Sequence, residues 1–161
     1  MALFSIIAAA IAPGISLMTY FYLKDRYEAE PLHMVIKMFV IGTLIVLPLM
    51  VLQRGMVLSM GNHPLLGAFV ISAFMEEFMK WFVLYHMIYN HTEFDEPYDG
   101  IVYAAAVSLG FATLENLFYA WFEQSTFGTL IVRALLPVSG HALFGVMMGY
   151  YMGKAKFSEK K

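Results

Sequence analysis

The sequence predicts an all-α polytopic membrane protein, a bundle of about five transmembrane helices, and three observations carry that prediction. Of 161 residues, 60% are hydrophobic and only 14% charged, where a soluble domain carries about 25% charged residues. The apolar residues fall in successive runs of about 20, the length that spans a bilayer core as helix. Runs such as Ile41 to Val46 and Val102 to Val107 do not alternate in polarity, so they cannot be barrel strands, and helices satisfy their own backbone in lipid. A net charge of −2 gives no basic footprint for nucleic acid. With no cysteine there is no disulfide, thiol nucleophile or sulfur-ligated metal.

The elements follow in order. Segment one spans Leu3 to Leu23, with Pro13-Gly14 inviting a kink at its middle and Tyr20, Tyr22 and Tyr27 at its interfacial end. It lacks a charged leading region and is expected to be retained rather than cleaved. Segment two spans Leu32 to Leu52, with Lys37 placed to snorkel. A connector is expected from Gln53 to Pro64, broken by Gly55, Gly61, Asn62 and Pro64. Segment three, Leu65 to Tyr89, carries Glu76, Glu77 and Lys80. The loop after it holds Glu93, Asp95, Glu96 and Asp99, lacks the spacing of a calcium loop and is expected to be solvated. Segment four spans Ile101 to Phe122 and contains Glu115-Asn116. Segment five spans Leu130 to Met152 and contains Arg133, expected to snorkel, Pro137 and His141. Lys154, Lys156, Lys160 and Lys161 mark a cytoplasmic C-terminus, which puts the N-terminus outside; Lys24 and Arg26 agree, and Arg54 does not. The whole of 1–161 reads as one transmembrane domain.

The charges inside the spans point to function. An ionisable group at bilayer depth costs roughly 2.5–3.5 kcal/mol on insertion scales, so three together default to a site. At helical spacing Ser72, Ala73, Glu76, Glu77 and Lys80 share one sector, with Glu76 and Lys80 as an i,i+4 pair, while Ile71, Phe74, Met75, Phe78 and Phe82 take the other side, which is expected to face lipid. His141 heads a stripe of Gly145, Gly149 and Gly153, four residues apart, that lets another helix approach closely. At 1.5 Å per residue, Glu76 lies about 16 Å below the outer surface, His141 about 17 Å and Glu115 about 10 Å. Three helices thus bring polar groups to similar depth.

Such groups suit hydrolysis. Paired carboxylates do not both stay ionised in a low dielectric, so Glu76 or Glu77 can serve as general base while Lys80 holds the other charged. His141 and Asn116 can donate to a developing oxyanion. No metal is assigned; if a divalent ion such as zinc is present, Glu77, Glu115 and His141 are its ligands, although no His-Glu-x-x-His motif occurs. Each group also has a structural reading: a buried ion pair, interhelical hydrogen-bond glue, a packing histidine. The alternative function is therefore a non-catalytic membrane binder or scaffold whose polar cluster locks helices together. A carboxylate-relay transporter would need inverted repeats and broken helices, and neither is present in the sequence.

Four ordered stretches give a resemblance: Phe74-Met-Glu-Glu-Phe-Met-Lys-Trp81, Phe94-Asp-Glu-Pro-Tyr-Asp-Gly-Ile-Val-Tyr103, Leu109-Gly-Phe-Ala-Thr-Leu-Glu-Asn-Leu-Phe-Tyr119 and Arg133-Ala-Leu-Leu-Pro-Val-Ser-Gly-His-Ala-Leu-Phe-Gly145. With Ile11 to Leu17 and Tyr20 to Asp25, they resemble the PrsW family of polytopic membrane proteases, within the group that includes CAAX-processing and bacteriocin-processing enzymes. The resemblance implies that Glu76 and Glu77 belong to an essential Glu-Glu-x-x-Lys motif, that Glu115 completes Phe-x-x-x-Glu through Phe111, and that His141 matches a later His motif. It implies an endopeptidase of the bacterial plasma membrane that performs site-1 cleavage of a single-pass anti-sigma factor on its extracytoplasmic side, which leads to release of an envelope-stress sigma factor. Members of the family continue into a further apolar segment with a His-Gly-x-x-Asp motif. This sequence lacks it, so a C-terminal portion found in relatives is expected to be missing.

Overall fold

The computed structural model describes residues 3–25, 28–61, 65–122 and 126–158. Among them every regular element is helical: α1 (Leu3–Lys24), α2 (Leu32–Leu44), α3 (Val46–Met60), a π-helical stretch Leu66–Phe74 that runs into α4 (Met75–Ile88), α5 (Asp99–Phe122), α6 (Phe127–Arg133), and a second π-helical stretch Ala134–Val138 that runs into α7 (Ser139–Phe157). Joined end to end they make the five rods expected. Four of these, Phe4–Lys24, Leu32–Ser59, Asp99–Phe122 and Phe127–Phe157, are long and apolar enough to cross a membrane. The remaining rod carries Glu76, Glu77 and Lys80. Arg26, Tyr27, Asn62, His63, Pro64, Lys160 and Lys161 lie outside the described residues.

Two expectations are corrected. The second rod runs on as α3 to Met60, so most of the connector expected from Gln53 is helix. Its interruption falls at Ile45 instead, because Pro48 cannot donate a backbone bond to the preceding turn but is tolerated in the first turn of α3. The acidic loop is not simply solvated. Asp99 is 1% exposed and accepts hydrogen bonds from the Asp95 and Glu96 backbone N–H groups, at 3.0 and 2.6 Å. Lys156 closes the same turn by donating to the Phe94 carbonyl.

α5 is the hub. Apart from Ile101, every residue from Asp99 to Thr113 is buried, and α1, α2 and α7 pack around it. Close approach comes from small residues on the partners: a Cβ on Gly42 would strike the Val107 backbone, and one on Gly149 the Gly100 backbone. The stripe on α7 behaves as expected, since a Cβ on Gly145 would lie 2.7 Å from Ser108 Oγ. Phe74, Phe78 and Phe82 are exposed on the rod that carries the carboxylates, as lipid-facing residues should be. Ile71 and Met75, expected beside them, differ: Ile71 is only 4% exposed, and Met75 is partly buried against the core.

At the α1–α2 turn, Glu30 is buried and accepts a hydrogen bond from the Tyr103 hydroxyl. Burial, with Asp99 and Asp25 nearby, pushes its carboxyl up to about 8; the Tyr103 bond opposes that rise only in part.

Candidate active site

Glu76 and Glu77 stand where π-helix gives way to α-helix, at the first turn of α4. Successive residues on a helix point about 100° apart, and here the two carboxylates part company. Lys80 pairs with Glu77, Nζ to Oε1 at 2.7 Å, and not with Glu76 as the i,i+4 spacing predicts. Glu76 Oε1 instead accepts from Ser72 Oγ at 2.8 Å and from Gln53 Nε2 of α3 at 3.1 Å.

Lys80 is fully buried. Its ammonium lies 2.8 Å from His141 Nδ1 and 4.2 Å from the centre of the Phe111 ring, which also meets the His141 ring edge-on. On the other side, His141 Nε2 is 3.2 Å from Glu115 Oε2. One proton assignment satisfies these contacts: Lys80 donates to Glu77 and to Nδ1, which leaves the Nε2–H to donate to Glu115. Phe111 and Glu115 are one turn apart on α5, so the Phe-x-x-x-Glu spacing places a ring under Lys80 and an acceptor beside His141.

Glu115 has its own cation, Arg133, whose guanidinium approaches Oε2 at 3.7 Å, covers the Tyr119 ring, and donates through Nε to Asn116 Oδ1 at 2.8 Å. Asn116 is fully buried and donates to the Ala10 carbonyl at 2.9 Å. Its amide thus ties α1 and α6 to α5, which corrects the expectation that it donates to an oxyanion. Arg133, expected at the headgroups, is only 12% exposed on its side chain. Sequence reasoning assigned no chemistry to Arg133, Gln53 or Phe111. For Arg133 the signal was available, because a charge at that depth needs a partner. Gln53 sat in what read as a connector.

Two cavities meet here. A groove of about 550 Å³ runs between the two π-helical walls, lined by Phe69, Glu76, Glu77, Pro137, Gly140 and His141 among others. A smaller one, about 230 Å³, lies towards α3 and α5 and is lined in part by Gln53, Glu76 and Glu115. Glu76 borders both. Glu77 Oε2 is buried and has no hydrogen-bond partner among the described residues, an arrangement that a structural ion pair would not need.

Glu77 and Glu115 address opposite nitrogens of His141. The three donors therefore form a row rather than surround a point, and among the described residues no group of three His, Asp or Glu is arranged to hold a metal. A catalytic zinc site takes three protein ligands around one centre. As arranged, this donor set does not fit one.

Known proteases resemble the chain over most of its length. The chain is 57% identical to Protease PrsW of Geobacillus kaustophilus (strain HTA426), over 99% of its own length and 70% of that relative. It is 52% identical to Protease PrsW of Bacillus subtilis (strain 168), over 99% of this chain and 72% of the relative. Protease PrsW of Clostridioides difficile (strain 630) is 34% identical over 94% and 66%. No solved structure matches. The family model described as PrsW family intramembrane metalloprotease matches residues 30–161. An apolar, multi-helix chain with a buried carboxylate–lysine–histidine row, matched over nearly its whole length by these proteases, belongs to the PrsW family of intramembrane proteases and is a multi-pass cell membrane protein.

Proposed function

We propose that this protease cuts a single-pass membrane protein, an anti-sigma factor, on its extracytoplasmic side, with Glu77 activating water. The observation that carries the assignment of the base is the split environment of Glu77: Oε1 is held by Lys80, while the buried Oε2 has no partner among the described residues and Glu77 lines the larger groove. In the proposed reaction Oε2 takes a proton from water, the hydroxide adds to the scissile carbonyl, and Glu77 returns the proton to the amide nitrogen as the C–N bond breaks. Lys80 keeps the carboxylate ionised before attack. His141 is held between Lys80 and Glu115, and to donate to the oxyanion its Nε2–H must leave Glu115, to which it donates at rest. Glu76, with Ser72 and Gln53, borders the second cavity, which would admit water.

The family description implies a metal, and the donor row does not fit a three-ligand centre, so the reaction is assigned to these side chains alone. The substrate class rests on the family resemblance and on the exposed apolar residues Phe69, Phe74 and Phe144 around the groove. The test is cleavage of single-pass anti-sigma reporters by the full-length protein in membranes, with products mapped by mass spectrometry. Cuts on the extracytoplasmic side that vanish in Glu77→Gln support the reading. Cleavage restricted to soluble peptides sinks it.

A further inference from the structure

Most glycines on the described helices that touch the hub are there because nothing larger fits. Gly140 is different. A Cβ built on it meets nothing within 4 Å, while one on Gly145, Gly149 or Gly153 of the same helix would collide with α5 or the turn before it. Glycine is the poorest helix former after proline, so α7 carries an unfavourable residue at its second position with no packing reason for it. That position directly precedes His141 and lines the same groove as Glu77.

The groove's rim is apolar and outward-facing: Phe69 is 69% exposed, Phe74 60% and Phe144 60%. In a membrane protein such a rim meets acyl chains, so what enters comes from the bilayer. The volume, about 550 Å³, matches roughly one turn of helix with its side chains, or about four residues of chain. A whole transmembrane helix does not fit, and a short unwound stretch of one does. Part of each wall is π-helical, Phe69, Ser72, Ala73 and Phe74 from Leu66–Phe74 on one side and Pro137 from Ala134–Val138 on the other, a conformation found mostly at functional sites.

We infer that this groove is the lateral substrate site, that it takes about four residues of a membrane-embedded polypeptide in extended form, and that the space over Gly140 determines how large a side chain can lie next to the cut bond. This rests on the active-site reading above.

The test uses the full-length protein in proteoliposomes and single-pass reporters that carry Ala, Leu or Phe beside the mapped bond. Gly140→Leu should lower the ratio of kcat/KM for the Phe reporter over the Ala reporter by roughly 10–100-fold, and Gly140→Ala by less, as expected when space in an apolar pocket is removed. Gly55→Leu, a change at another glycine with open space around it, should leave that ratio alone. A ratio unmoved by either Gly140 variant, or moved equally by Gly55→Leu, overturns the proposal. Should Gly140→Leu fail to fold, the lack of cysteine in these 161 residues allows a second measurement. Gly140→Cys should form disulfides with single-cysteine reporters only within about four positions of the cut, and crosslinks spread along the reporter, or none, overturn it. Crosslinking does not need cleavage. Adding Glu77→Gln to Gly140→Cys therefore separates the two readings: a retained crosslink supports the groove, and continued cleavage would remove Glu77 as base without touching it.

Discussion

Glu77→Gln tests most of the reasoning at once, provided it is made with and without a second change. Lys80 is 0% exposed and has Glu77 Oε1 at 2.7 Å. Removing one partner of a buried pair costs about 3–5 kcal/mol because the other charge is stranded. Here the lower end applies: Glu77 is 25% exposed, and Lys80 keeps His141 Nδ1 and the Phe111 ring face. A loss of about 3 kcal/mol in a chain of this size lowers the thermal midpoint by roughly 6–12 °C. Replacing the stranded ammonium as well, in Glu77→Gln with Lys80→Met, should recover most of that loss, since an apolar side chain of similar shape is usually neutral in place of a buried ion pair. Activity should not recover. Loss of a general base removes about 10²–10⁴-fold of rate, and the Lys80→Met change does nothing to restore it. The assay is thermal unfolding in detergent beside cleavage of a membrane reporter. If cleavage returns together with stability in the double variant, the cluster is structural and the catalytic reading is refuted.

Other outcomes follow from the same geometry. Arg133→Gln can keep the hydrogen bond to Asn116 but not the charge beside Glu115, and cleavage should fall about 10–100-fold with a stability loss near 1 kcal/mol, read by reporter turnover and unfolding. Gly149→Val would drive a Cβ into the Gly100 backbone, which cannot yield as a side chain can, so a loss of about 3 kcal/mol or more and sensitivity to trypsin are expected. Glu30, with its carboxyl raised to about 8 from an unfolded value of 4.5, binds more protons folded than unfolded between those limits. Stability should therefore be full below about pH 4.5 and fall as pH rises towards 8, and Glu30→Gln should flatten that slope in unfolding measured across pH 5–8. Stringent metal removal should leave cleavage intact. A loss restored by added zinc would overturn the assignment of the reaction to side chains alone.

The helical rods were legible because length and apolar runs set them, and the hub contacts were legible in part because four-residue glycine spacing has one common use. The π-helical stretches were not. Leu66 to Phe74 is uniformly apolar apart from Ser72, so no periodicity separates a wider helix from an ordinary one. Similar depths were expected for Glu76, Glu115 and His141; Glu115 and His141 do meet, but the carboxylate that reaches the other nitrogen of His141 is Glu77. Partner choice was not legible: the i,i+4 pair was replaced by i,i+3, and Asn116 went to Ala10 and Arg133.

The distribution of charge explains how such a cluster persists among apolar helices. Glu77 has Lys80, Glu115 has Arg133, and His141 bridges the two pairs, so each carboxylate of the row has a cation beside it. Glu76 stands apart with neutral donors from Gln53 and Ser72. The fixed end of the row comes from α5, where Phe111 and Glu115 sit on the most buried helix of the molecule. The other end comes from rods whose outer faces are apolar and which include the two π-helical stretches. A protease needs a rigid array of charges and a wall that can admit a polypeptide, and these demands conflict within one helix. Here they fall on different elements: α5 holds the acceptor of His141 in place, while the groove lies between the other rods under an exposed apolar rim of Phe69, Phe74 and Phe144.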